Sequence, residues 1–133
     1  MILPKGTVEY SMNGGEEIFK DVIKEMREGG KTGYLLVLGS LEDSKSNDSE
    51  FTGQMVFNRG EPQLCEAITG TQSHKGNDGI YHFYKSMLSD SNSIELHTKI
   101  DVGPPLAFFK ECKVDPDKTD PESFMRDYNK ELE

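Results

Sequence analysis

Three imidazoles and two thiols, His74, His82, His97, Cys65 and Cys112, are the side chains best suited to bind a metal or attack a substrate. A zinc site needs such ligands in close pairs, C-x-x-C or H-x-x-x-H, so that two reach one ion from one element. None are so spaced, and they fall in different predicted elements, so no metal is expected. Cys65 stands beside Glu66. That pairing sets a small cytoplasmic enzyme using Cys65 as the alternative to a non-catalytic domain. A small residue in a short strand more often packs into a core. Ser73 and His74 are adjacent, yet no G-x-S-x-G turn precedes a helix there.

Two polar stretches offer other chemistry. Gly70 to Asp78, GTQSHKGND, lies between a predicted strand and a predicted helix, holds Lys75, and could aim backbone donors at an anion. After Gly76 it continues Asn-Asp, where a phosphate-binding loop has Lys followed by Ser or Thr, and Asp78 would repel a phosphate. A linker that caps the next helix through Asn77 or Asp78 is the better reading, with an anion-binding loop at 70–78 kept as a rival. The second stretch, EDSKSNDSE, gathers Asp43, Asn47, Asp48 and Glu50. It lacks the alternating ligands and turn glycine of a calcium loop, so a solvated connection is expected.

The elements that must carry these residues follow from the apolar pattern. Ile18, Phe19, Val22, Ile23 and Met26 recur at helical spacing between a possible cap at Asn13 or Ser11 and the stop Gly29-Gly30. YLLVLGSL, from Tyr34 to Leu41, is a short apolar run suited to a strand buried on both faces or nearly so. FTGQMVF alternates, with Phe51, Gly53, Met55 and Phe57 on one face. Asn58-Arg59-Gly60 supplies a hairpin turn, and QLCEAIT returns with Cys65 and Ala67 on one side. Ile80, Phe83, Tyr84, Met87 and Leu88 build a second amphipathic helix. SIELHTKID alternates again, Ile94, Leu96, Thr98 and Ile100 inward and Glu95, His97 and Lys99 outward. LAFFKECKV should dock back as a helical turn or strand, while Ile2, Leu3 and Val8 make a short strand or an extended arm.

This pattern predicts an α+β domain, a mostly antiparallel sheet packed on two amphipathic helices, over residues 1–114. Residues 115–133 read as an acidic, proline-containing linker and a terminal helix begun by Asp120-Pro121. Phe124, Met125, Tyr128 and Leu132 would form one stripe on that helix. Left bare, the stripe would be a liability, so it is the predicted partner-binding surface. Its cover could be the domain itself, a second copy or another protein.

The totals exclude several classes. The chain of 133 residues suits one domain, and no apolar run is long enough to cross a bilayer. A net charge of −9 with scattered Lys and Arg argues against nucleic acid. The start, MILPKGTVEY, carries no export signal, so a cytoplasmic protein with two reduced cysteines is expected.

The succession of amphipathic helix, Thr32-Gly33 before a strand, the Asn58-Arg59-Gly60 turn and Ala67 near the end of the returning strand resembles the amino-terminal domain of PatA-type response regulators. The opening Met-Ile-Leu-Pro-Lys-Gly is similar to that of an uncharacterised archaeal family. The resemblance spans roughly Met1 to Asp101. The polar insert from Gly70 to Asp78 departs from it, standing where small residues usually open the second helix. It implies protein–protein regulation with no catalytic residues and no cofactor. The expected partner is a protein, the expected state a monomer or homodimer.

Overall fold

A computed structural model describes residues 1–40 and 50–133 of the chain. The stretch weighed as a calcium loop lies outside the described residues, apart from Glu50. The elements in order are β1 (Thr7–Asn13), α1 (Glu16–Glu28), β2 (Gly33–Ser40), β3 (Glu50–Asn58), β4 (Glu61–Thr69), β5 (Gln72–Lys75), α2 (Asn77–Met87), β6 (Ser93–Thr98), α3 (Gly103–Phe108) and α4 (Pro121–Leu132). Two short 3-10 turns, Lys110–Cys112 and Pro116–Lys118, join the last two helices.

The six strands form one sheet in the order β1-β6-β2-β3-β4-β5, every neighbouring pair antiparallel. This is the expected α+β architecture. The turn between β3 and β4 forces Arg59 and Gly60 to positive φ, 52° and 84°. Gly60 also sits so close to α1 that a Cβ would fall 2.5 Å from the Arg27 carbonyl oxygen, so only glycine fits.

Period-two alternation sends Leu35, Val37, Phe51, Met55, Phe57, Cys65, Ala67, Ile94 and Leu96 to one face. There they meet Phe19, Val22, Ile23 and Met26 of α1 and Ile80, Phe83, Tyr84 and Met87 of α2. The opposite face carries a smaller apolar layer. Tyr34, Val56 and Leu64 are covered there by Val102, Cys112, Leu3, Leu106 and Phe109. Strand β2 is therefore enclosed on both faces only near its start: Tyr34 is buried, whereas Leu38 is 40% exposed.

Several local expectations are corrected. Neither α1 nor α2 has a side-chain cap: Gly15 and Gly76 stand at their N-cap positions. Asn13 is spent in the sheet opposite Ser93, and the Asn77 side chain accepts instead from the Asp115 N–H at 2.8 Å. The polar stretch from Gly70 is not all loop, because Gln72–Lys75 pairs with β4 across a tight Gly70-Thr71 turn. His97, expected in solvent, is 4% exposed because the second layer lies on its side of the sheet. Val8 is exposed, and Tyr10 and Met12 are the residues of β1 that reach the core.

The terminal segment lies against the same body. Thr119 is fully buried, and its carbonyl accepts from the Tyr84 hydroxyl at 2.7 Å. Asp120 caps α4 as anticipated, accepting from the Ser123 N–H at 3.1 Å, with Pro121 in the first turn.

Candidate interaction surface

Cys65 lies at the centre of the helix-covered core with no exposure. Burial pushes its thiol well above the ordinary range, and nearby Cys112 and Glu66 push the same way. A nucleophile needs the reverse, a lowered pKa and access. Cys112, equally buried, is raised to about 11, chiefly by burial and then by Glu66 and Glu111. Both thiols are free.

Two glycine donors and the lysine of the 70–78 segment are engaged inside the fold. The Gly70 N–H bonds to the Glu50 carbonyl and the Gly76 N–H to the Cys65 carbonyl, each at 2.9 Å. Lys75 faces Glu111 at 3.9 Å. These bonds count against an anion-binding loop there.

The three histidines do not meet at one point. His74 of β5 and His82 of α2 stack face to face, centroids 4.0 Å apart, a meeting that sequence spacing did not suggest. Burial, then the neighbouring His74 and Lys85, hold the His82 imidazole below its ordinary pKa. His97 is across the sheet, stacked on Tyr34 at 4.6 Å with Nε2 3.0 Å from Glu95. Among the described residues no group of three His, Cys, Asp or Glu could hold a metal ion. Nor, among them, is any helix long and apolar enough to cross a membrane.

Of the terminal stripe, Phe124 is 7% exposed and belongs to the main core. It packs edge-on against Phe19 and Tyr84, at 5.6 and 5.4 Å. Met125 and Tyr128 pack on the same core, leaving Leu132 projecting at 68% exposure.

Among the described residues the most exposed large apolar side chains lie elsewhere. Ile2 is 91% and Phe108 78% exposed, and both line an open groove of about 540 Å³ with Pro4, Pro104, Pro105 and Phe109. Local chemistry explains the arrangement. The Asp101 carboxylate accepts from the Gly103 N–H at 2.9 Å, and Pro104 and Pro105 follow in the first turn, where a missing N–H costs nothing. The helix that follows has six residues and ends at Phe108. Phe109, just past its end, joins the layer beneath, so Phe108 is left outside, edge-on to it at 5.0 Å. Sequence reasoning treated the whole Leu106–Val114 run as docking inward and missed both exposed residues. For Phe108 the available signal was two consecutive aromatics, Phe108 and Phe109, at the close of a short helix, where neighbouring side chains point in different directions.

Comparison of the chain with protein-family models, with curated proteins and with solved structures finds no match.

Proposed function

We propose that this chain is a non-catalytic protein-interaction domain, acting in the cytoplasm, whose partner is a protein held on the Ile2–Phe108 surface. The observation that carries the reading is the exposure of two large apolar side chains in one proline- and phenylalanine-walled groove. Such a concentration marks a contact surface more often than it marks chance, because water-exposed apolar area of this kind favours association. Aromatic anchors beside rigid proline lose little conformational freedom on binding, which suits them to the centre of an interface. The resemblance to regulatory amino-terminal domains points the same way.

A photo-reactive benzoyl-phenylalanine placed at Phe108 tests the reading in living cells, with the same group at exposed Lys85 as control. The expected result is a discrete protein adduct from position 108, absent from position 85 and lost when Ile2→Ser is added. An adduct of twice the chain's mass identifies the partner as a second copy. Equal labelling from both positions, or none, overturns the reading.

A further inference from the structure

We propose that the groove between α1 and α4 is a second docking surface, one that takes an acidic amphipathic segment of a partner protein. The two helices meet where Arg27 approaches Asp120 at 4.0 Å and donates to the Thr119 carbonyl at 3.4 Å. From that meeting point they flank a groove of about 840 Å³ with Phe19 and Ile23 at its base and Met125 on its wall.

Charge sets this groove apart from the rest of the molecule. It is lined by four of the chain's fifteen Lys and Arg but by only three of its twenty-four Asp and Glu. The charges are also sorted along its length. Asp120 and Glu122 open α4 and Glu28 closes α1, so the acids gather at the Arg27–Asp120 end. Lys24 stands one turn before Glu28 and Arg126 one turn after Glu122, with Lys20 a further turn away from that end. Lys20 is held by Glu16 at 3.2 Å. Lys24 and Arg126 have no carboxylate within ion-pair distance among the described residues, and Arg126 donates only to the Ser123 hydroxyl at 3.1 Å.

Two unpaired cations on facing helices, above a half-buried methionine, complement carboxylates beside an apolar side chain. The alkyl stems of Lys20 and Lys24 extend the apolar wall, as long cationic side chains do. Opposite charge on the occupant steers encounter and fixes register, while Met125 adapts to the shape of the apolar residue between the acids. Helix-in-groove recognition is the mode this geometry favours. The proposal stands apart from the Ile2–Phe108 surface and does not depend on it.

Selection from a displayed random-peptide library against the full chain is the test, followed by fluorescence anisotropy with the selected peptides. The expected outcome is enrichment of peptides with Asp or Glu flanking apolar residues. The charge reversal Lys24→Glu with Arg126→Glu should weaken them by at least about tenfold, and raised salt should weaken them too. Phe108→Ser should leave them unchanged, which separates this groove from the first surface. Both reversed positions are exposed, so the variant keeps its fold, and circular dichroism verifies that. Selected peptides that lack acids, or that bind the variant within about twofold, overturn the proposal. So does self-association seen in sedimentation and abolished by the reversal, which assigns the groove to a second copy. Flotation with phosphatidylglycerol vesicles abolished by the same reversal assigns it to a membrane surface instead.

Discussion

Replacing Phe124 with alanine measures how far the terminal helix belongs to the fold. The ring is 7% exposed and lies within 5.4–5.8 Å, centroid to centroid, of Phe19, Tyr81, Tyr84 and Tyr128. Returning a buried phenylalanine ring to water costs about 2–3 kcal/mol. The walls of the resulting hole are themselves rings. Tyr84 is further fixed by its bond to the Thr119 carbonyl, so the site cannot collapse far. A cavity of that kind adds about 1–2 kcal/mol, giving roughly 3–5 kcal/mol in all. Leu132→Ala is the control, since that side chain is 68% exposed, and its cost should stay under about 0.5 kcal/mol. Urea unfolding followed by circular dichroism reads both changes, and the Phe124→Ala midpoint should fall at constant slope. In a thermal scan the same loss should lower Tm by at least about 10 °C. A Phe124→Ala cost below about 1 kcal/mol, close to that of Leu132→Ala, would refute the reasoning: α4 would then contribute no packing to the domain.

Two further predictions concern the groups singled out for chemistry. Iodoacetamide at mildly alkaline pH should leave Cys65 and Cys112 unmodified in the folded chain and label both in urea, read by intact mass. Rapid labelling of Cys65 without denaturant would restore the enzyme alternative. For His82 the folded-state pKa lies below the ordinary 6.5, so the unfolded chain takes up the proton first. Its contribution to stability is full above about pH 6.5 and declines as the pH falls from there through its folded value. His82→Asn should therefore flatten the loss of urea midpoint on acidification. An unchanged pH profile would show that the His74–His82 stack carries no such linkage.

The sheet and both long helices were legible because each obeys a single strong period. The apolar positions of α1 and α2 predicted from spacing are those that reach the core, and the Arg59-Gly60 turn is where its residue types placed it. The Asp120 cap of α4 was legible, but the starts of α1 and α2 were not. Asn13, Asn77 and Asp78 are capping residues by type, but a strand partner claimed Asn13 and a distant N–H claimed Asn77. Strand β5 carries no apolar alternation, since Gln72, Ser73 and Lys75 face solvent and only backbone bonds to β4 make it a strand. The second apolar layer was equally hidden. It is assembled from Leu3, Val102, Leu106, Phe109 and Cys112, which no period links. Because that layer was not foreseen, His97 was placed in water and the exposure of Ile2 and Phe108 had nothing to be measured against. Both sides of the α1–α4 groove were visible as helices. That they face each other rests on tertiary contacts, chiefly Phe124 against Phe19, with Arg27 beside Asp120.

The strand order has a consequence for how the nascent chain is made. β1 and β2 leave the ribosome before β6, yet they never touch as strands: β6, the latest of these six to be synthesised, lies between them. A chain interrupted before Ser93 can close the meander from β2 to β5, whose pairings are all between sequence neighbours. It cannot seat β1, whose one strand partner among the described residues is missing, and the inner edge of β2 stays open. During that interval the unfinished protein offers an unpaired, apolar strand margin to any neighbouring chain on the polysome. Insertion of β6 closes that margin and seats β1 in one step.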